Sequence, residues 1–247
     1  GPDLGDPYWA PPPARPFQQE IGVHPGKLRI AFSTEALDGV PVHADCREAV
    51  QRVAGLCEKL GHRVTEASPK VDGEQLDRSF LTVWSAGCAS TLEGLEYILG
   101  RPVKPEDMEP LTWTLNEIGR TQTGAKYLLA LQTIQRMARD VARFFLDYDI
   151  WLTPTLALPP LPLGRFEPAP DDALQGLRQA SAFAPFTPIC NLTGQPAMSV
   201  PLFWNGEGLP IGTHFIGRFG DEATLFRLAA QLEMARPWAG RHPPIAA

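Results

Sequence analysis

The sequence predicts an α/β protein in which a mixed β-sheet is flanked by helices. A strand, a helix and a second strand follow one another between residues 28 and 66, an order typical of parallel strands. A long amphipathic helix precedes another apolar strand at residues 149–155. Near the end of the chain, two strand-like runs are joined by a short turn, which indicates an antiparallel hairpin. Parallel and antiparallel pairs together make the sheet mixed.

The chain is expected to begin with an extended arm, residues 1–26, followed by a single α/β body at residues 27–247. The run "PYWAPPPARP" from Pro7 to Pro16 carries too many prolines for a helix or a central strand. An exposed, extended conformation is therefore predicted for it.

The first strand–helix–strand unit is predicted from three patterns. "LRIAF", from Leu28 to Phe32, is a short apolar run typical of a buried strand. Apolar residues then recur with helical spacing from Val42 to Leu60, and Gly61 stands where a helix commonly ends. "HRVTEAS" alternates like a strand, so the two strands are expected to be parallel neighbours.

Three further helices are predicted in the middle of the chain, at residues 73–99, 108–118 and 124–147. "DIWLTPT" follows as a strand that is apolar on both faces, which favours a central position in the sheet. The prolines of "LALPPLPLGRFEPAP" predict a loop, and residues 171–183 are predicted to return to helix.

The last quarter of the chain has the clearest pattern. "AMSVPLFW" and "LPIGTHFIG" are predicted to pair as a hairpin, with Asn205 and Gly206 supplying left-handed turn conformations. "DEATLFRLAAQLEMA" then forms an amphipathic helix with acidic residues in its first turn, and Pro237 ends it.

Composition narrows the classes of function. The 247 residues carry a net charge of −6, so neither nucleic acid nor an anionic membrane surface is an expected partner. No apolar run reaches membrane-spanning length and no secretory signal begins the sequence, so a cytoplasmic location is expected. The four cysteines lack metal-ligand spacing and are expected to be free thiols: Cys46, Cys57, Cys88 and Cys190.

No catalytic set is evident from the residues alone. The chain contains no G-x-S-x-G elbow, no P-loop and no G-x-G-x-x-G, so no catalytic residue, cofactor or metal site is predicted. His62 and His214 are interpreted as structural, while the other three histidines are expected to be exposed: His24, His43 and His242. Two acidic pairs, Asp171–Asp172 and Asp221–Glu222, are interpreted as helix starts.

The stretch "CNLTGQPAMSVP", residues 190–201, is the most motif-like in the chain. Its Asn191-Leu192-Thr193 formally matches a glycosylation acceptor, which is interpreted as accidental without a secretory signal. Ser199 has no evident base beside it, so it is not a nucleophile candidate. Asn191 is predicted to bind backbone in a turn.

The ordered motifs of this chain resemble the C-terminal part of the amidase signature family. The matching positions run through the stretch above and the hairpin: Asn191, Thr193, Gly194, Pro196, Ala197, Pro201, Gly208, Leu209, Pro210 and Gly212. "DIWLTPTLALPP" and "GPDLGDPYWAPPP" also look like family segments, so the resemblance covers essentially the whole chain.

The resemblance implies an amidase whose catalytic half is absent from this sequence. The family hydrolyses amide C–N bonds with a Ser–cis-Ser–Lys triad that lies in the N-terminal half, without metal or cofactor. No catalytic residue can therefore be carried over to this chain. The first Met is Met108, so the sequence is expected to be an engineered piece, a fragment or a processed product.

Within the family, "DRSFLTVWSAGCAS" and "LGRPVKPEDMEPLTW" are most similar to the nylon-oligomer hydrolases. Cys88 matches a cysteine beside the substrate in that subgroup, although a small packing thiol is an equal alternative. Trp84 and Trp151 could line the same cleft, but core packing is the preferred interpretation of both. The segment before the motif is expected to approach the cleft, with core packing plus a turn as its alternative: Phe186, Thr187, Cys190 and Asn191.

Expected partners follow from the same resemblance. The complete enzyme would take a small-molecule amide, and the isolated half would be inactive and would expose apolar surface and an open sheet edge. It should therefore bind its missing N-terminal half or itself. A non-catalytic binding or assembly protein and an amidotransferase subunit remain alternatives, and a Gly/Ser-rich signature with a Lys upstream of Gly1 would favour the enzyme.

Overall fold

A computed structural model describes residues 1–167, 169 and 172–242. Within these residues a five-stranded mixed sheet runs in the order β2-β1-β3-β5-β4. The strands are β1 (Arg29–Phe32), β2 (Arg63–Glu66), β3 (Ile150–Pro154), β4 (Ala197–Trp204) and β5 (Pro210–Gly217). The first three pair in parallel, whereas β5 is antiparallel to both β3 and β4. The predicted α/β class and mixed sheet are confirmed.

Seven α-helices in the described part of the chain flank this sheet. They are α1 (Ala44–Lys59), α2 (Gly73–Leu99), α3 (Pro110–Arg120), α4 (Gly124–Asp147), α5 (Gln175–Phe183), α6 (Pro188–Thr193) and α7 (Glu222–Ala235). Short 3-10 helices occupy Phe17–Glu20 and Pro105–Asp107. None of the described helices is long and apolar enough to cross a membrane.

Local signals explain where the helices begin and end. Asp72 caps α2 by accepting a hydrogen bond from the Gln75 amide, and Gly100 ends the helix with a φ of 65°. Thr123 caps α4 in the same way, through the amide of Lys126. The predicted ranges of α2 and α4 are therefore confirmed.

Strand β3 lies in the middle of the sheet, as its apolar pattern predicts, and all five of its residues are buried. Alternation sends Leu152 to the face covered by α1 and α7, where it packs with Val50 and Leu228. Trp151 points to the opposite face, where Val141 of α4 belongs to the same core cluster. The sheet thus separates two helical layers.

The hairpin between β4 and β5 is present, but its turn differs from the predicted one. Asn205 and Gly206 do not adopt left-handed conformations, and the positive φ falls on Gly208, at 78°. The Asn205 side chain instead accepts hydrogen bonds from the amides of Glu207 and Leu209. The side-chain oxygen of Asn205 thus holds a loop longer than two residues, which replaces the predicted two-residue turn.

Of the two acidic pairs predicted to start helices, one precedes its helix by several residues and the other stands at the helix start. The helix predicted at residues 171–183 begins at Gln175, so Asp172 precedes it and forms an ion pair with Arg178. Asp171 lies outside the described residues. Asp221 does stand at a helix start, where it caps α7 through the amide of Thr224.

Candidate substrate-cleft wall

A cleft of about 340 Å³ opens between α2 and α5. Trp84 lines it from α2 and is 40% exposed, with its ring edge-to-face against Phe80 at a centroid distance of 5.5 Å. Core packing is therefore wrong for Trp84. It is confirmed for Trp151, which is 1% exposed and donates its Nε1 hydrogen to Ser33 Oγ at 3.0 Å. We call this space the Trp84 cleft.

Cys88 lies one turn further along α2 and is half-buried. Its Sγ lies 3.5 Å from the carbonyl oxygen of Thr112, in α3, so the thiol packs between the two helices. Burial raises the pKa of Cys88, which keeps it protonated and weakly nucleophilic. Cys88 is not among the residues that line the Trp84 cleft.

The segment before the family motif approaches the cleft through its prolines. Pro185 and Pro188 line the Trp84 cleft, but Phe186 between them is buried in a core cluster with Phe203 and Ile211. Its neighbour Thr187 is partly buried and precedes α6. The structure therefore puts the prolines, rather than Phe186, at the cleft.

The "CNLTG" run is a short helix rather than a turn. It belongs to α6, which Gly194 ends with a φ of 79°. Cys190 packs against the core, and burial raises its pKa to about 12. Asn191 is exposed and its side chain makes no hydrogen bond among the described residues, so the predicted backbone-binding role is wrong.

Among the described residues, one hydroxyl group lies within hydrogen-bonding distance of an imidazole, but both side chains are buried in the sheet. Thr153 Oγ1 lies 3.3 Å from His214 Nδ1 and 2.9 Å from the carbonyl oxygen of Pro154. Both residues are buried, and burial lowers the pKa of His214 to about 4. With no path for a substrate, the pair cannot act as nucleophile and base. The structural interpretation of His214 is confirmed.

His62 is also structural, as predicted from its place after Gly61. Its Nδ1 accepts a hydrogen bond from the Leu28 amide at 3.2 Å, and its Nε2 lies 2.8 Å from Gln231 Oε1. His24, His43 and His242 are exposed, as expected.

An exposed hydroxyl pair at the end of the sheet was missed by the sequence reasoning. Thr155 Oγ1 and Ser199 Oγ lie 2.7 Å apart, and Ser199 is exposed. A Cβ on Gly212 would lie 2.7 Å from the Ser199 oxygen and 2.8 Å from the Thr155 oxygen. The glycine inside the strand "LPIGTHF" was the available signal, because such a glycine often marks a close approach. No imidazole, lysine or carboxylate among the described residues is bonded to either hydroxyl.

Metal ligation finds no support in the described residues, since no three His, Cys, Asp or Glu side chains there are grouped to hold an ion. Cys46 and Cys57 are buried free thiols, whose pKa values burial raises to about 11 and about 12.

Comparison with known protein sequences identifies relatives of this chain. A family model described as "Amidase" matches residues 1–226. The 6-aminohexanoate-cyclic-dimer hydrolase of Paenarthrobacter ureafaciens is 31% identical over 98% of this chain and 50% of its own length. A lipoamidase of Enterococcus faecalis is 32% identical over 83% of this chain and 31% of its own length.

Solved structures of amidases share the fold of this chain. A structure of 6-aminohexanoate cyclic dimer hydrolase superposes with a TM-score of 0.88 at 30% identity, covering 99% of this chain and 52% of that one. A bacterial aryl acylamidase shares the fold with a TM-score of 0.71 at 18% identity. The chain thus spans about half the length of these hydrolases.

The mixed sheet between two helical layers has the α/β architecture of these structures. The chain belongs to the amidase signature family, and its sequence and fold are similar to those of 6-aminohexanoate cyclic dimer hydrolase.

Proposed function

We propose that this chain is the C-terminal portion of an amidase that hydrolyses a small-molecule amide. It supplies part of the sheet and one wall of the substrate cleft, while the nucleophile, its proton relay and the base come from residues outside it. The observation that carries the proposal is the pairing of a family fold with the lack of an accessible nucleophile–base pair among the described residues.

The open edge of the sheet supports a partner half. Strand β2, at one end, has four residues and carries the charged side chains of Arg63 and Glu66. Strand β4, at the other end, has eight residues and no charged side chain. Natural proteins protect free edges with charge, short length, proline and bulges, and β4 has Pro201 and an irregular register between Val200 and Phe203. Its uncharged first half, residues 197–200, is therefore the part of the edge suited to continue into another chain segment. Without that segment, self-association through β4 is expected.

Activity of matched samples tests the proposal. The complete gene product should release new amine from small amides, including the 6-aminohexanoate cyclic dimer that the similar hydrolase is named for. The purified chain of residues 1–247 should release none, and adding a separately produced upstream half should restore turnover. Turnover by residues 1–247 alone would overturn the assignment of the nucleophile to residues outside this chain.

The cleft wall has its own test in the complete gene product. Trp84→Ala should lower kcat/KM roughly tenfold, because it removes a large apolar surface from the cleft. Tyr97→Ala is the matched control, since Tyr97 lies on the same helix, is 90% exposed and does not line the Trp84 cleft. Equal activity of both variants would argue against the cleft as the substrate site.

A further inference from the structure

A cleft of about 390 Å³ lies beside the last turn of α4, where the chain enters β4 and leaves β5. We call it the α4 cleft. Leu146 is 73% exposed and Phe219 is 58% exposed, so part of its wall presents hydrocarbon to water. It shares no lining residue with the Trp84 cleft. Six described residues line it: Ala142, Phe145, Leu146, Gln195, Arg218 and Phe219.

Gln195 contributes a buried amide to this cleft. The residue is 7% exposed, and its Oε1 accepts a hydrogen bond from the Thr193 hydroxyl. Its Nε2 makes no hydrogen bond among the described residues. In that part of the chain the only fully buried side-chain atom without a partner is Gln179 Oε1, so the Gln195 nitrogen keeps an opening to the cleft. A donor in such a place is suited to a ligand that carries an acceptor.

Arg218 offers a second donor in the same cleft. Its Nε donates to the carbonyl oxygen of Phe145 at 3.1 Å, and its Nη2 donates to that of Tyr148 at 3.2 Å and to Asp149. These bonds fix the guanidinium and cap the negative end of α4. Nη1 makes no hydrogen bond among the described residues, so its N–H groups remain for a ligand.

Positive charge predominates around Arg218. The carboxylate of Asp149 is shared between Arg218 and Arg29. Asp147 interacts with Arg29 but lines a different cleft, together with Arg63, which forms no ion pair among the described residues. Three arginines therefore stand against two aspartates. No carboxylate of the described chain lines the α4 cleft itself, which thus favours an anion over a cation.

We propose that the α4 cleft binds a small organic acid whose carboxylate is carried on an apolar body such as an aromatic ring. The two carboxylate oxygens accept hydrogen bonds from Gln195 Nε2 and Arg218 Nη1. The apolar body covers Phe219 and Leu146 and removes their hydrocarbon from water. The volume of the cleft lies in the range of small-molecule sites.

Three probes with one carbon skeleton test the charge preference on the complete gene product. They are 3-phenylpropanoate, 3-phenylpropan-1-ol and 3-phenylpropylamine, none of which is an amide that the enzyme could hydrolyse. Calorimetry should show the carboxylate binding about tenfold more tightly than the alcohol, and the protonated amine binding most weakly. Equal affinities or tighter binding of the amine would overturn the proposal. So would the absence of carboxylate binding, which is the result if residues upstream of Gly1 fill the cleft.

Variants locate the binding in the α4 cleft. Gln195→Glu keeps the size of the side chain but replaces its donor with a carboxylate, so the affinity for phenylpropanoate should fall at least about tenfold. Phe219→Ala removes an exposed wall instead and should lower the affinity about threefold or more, without altering the buried amide. Gln132→Glu is the matched control, since Gln132 is exposed on α4 and does not line the cleft.

Two results would place the acid elsewhere and contradict the proposal. One is equal affinity of the Gln195, Phe219 and Gln132 variants for phenylpropanoate. The other is competition between phenylpropanoate and an amide substrate that persists unchanged in Gln195→Glu, because the acid would then be bound as a hydrolysis product is. Loss of affinity in the first two variants alone supports the site, whether or not the complete gene product hydrolyses amides.

Discussion

Glu20 and Arg227 are joined by an ion pair that spans 207 residues of sequence, with Arg227 Nε 2.6 Å from Glu20 Oε2. Arg15 Nε binds the other carboxylate oxygen at 2.7 Å, and Glu20 itself is 1% exposed. Beside this cluster, Phe17 stacks on Phe226 at 5.3 Å. The arm at the start of the chain is thereby docked on α7, although its first fourteen residues are exposed.

Replacing the buried carboxylate should release the arm. Hydrogen bonds from Arg15 and then Arg227 lower the pKa of Glu20 from 4.5 to about 2. Since the folded pKa is depressed, the stabilisation is complete above about pH 4.5 and is lost as the pH falls toward 2. Glu20→Gln should therefore lower the Tm at pH 7, and its difference from the unmodified chain should vanish near pH 2. Thermal unfolding across this range measures both; equal Tm values at pH 7 would contradict the docking role.

His214 should make the stability of the fold depend on pH in a different range. Burial lowers its pKa from 6.5 to about 4, so the folded state keeps the ring neutral while the unfolded chain binds a proton. Stability should therefore fall as the pH drops from about 6.5 to about 4, by ~3 kcal/mol over the full window. His214→Gln should remove most of this slope in urea unfolding. Part of the slope should remain, because burial also lowers the pKa of His62. An unchanged slope would show that His214 is accessible to protons.

The hydroxyl pair at the sheet end predicts that Gly212 cannot take a side chain. Its Cβ would come within 2.7 Å of Ser199 Oγ and 3.2 Å of Thr155 Cβ, so Gly212→Ala should destabilise the fold by about 1–3 kcal/mol. Gly206→Ala is the matched control, because nothing lies within 4 Å of its Cβ position, and it should change stability by less than about 0.5 kcal/mol. Adding Ser199→Ala should recover part of the loss. Equal unfolding free energies for the two glycine variants would refute the crowding.

The order of the elements was predictable because apolar periodicity records which face of each element is buried. Leu28 to Phe32, Val42 to Leu60 and Gly124 to Asp147 each carry a full pattern, and each appears where expected. The central position of β3 followed from its two apolar faces. These signals are local, so no tertiary contact was needed to interpret them.

Two of the differences from the sequence predictions depend on contacts between distant residues, and a third depends on a local side-chain hydrogen bond. Trp84 has the apolar character of a core residue, but its helix turns it toward a cleft, so composition alone could not place it. Glu20 lies in a Pro-rich arm, and only the arrival of Arg227 from α7 explains its burial. The hairpin turn differed because the Asn205 side chain bonds two amides, which competes with the left-handed turn. Tertiary geometry decided the first two cases, and local competition for backbone amides decided the third.

Two helical glycines should respond in opposite directions to the same substitution. Alanine in a helix interior is ordinarily more stable than glycine by about 0.5–1 kcal/mol, because it restricts the unfolded chain. Gly94 in α2 has nothing within 4 Å of its Cβ position, so Gly94→Ala should raise the free energy of unfolding by about that amount.

Gly119 in α3 should show the reverse, because its backbone lies directly on α2. A Cβ there would overlap the carbonyl oxygen of Ser85, lie 2.6 Å from the Ser85 carbonyl carbon and lie 2.8 Å from Ala89 Cβ. Since backbone cannot rotate away as a side chain can, the steric cost of about 3 kcal/mol exceeds the gain in helix propensity. Gly119→Ala should therefore destabilise the chain in urea unfolding while Gly94→Ala stabilises it. Stabilisation by both variants would mean that α2 and α3 do not approach so closely.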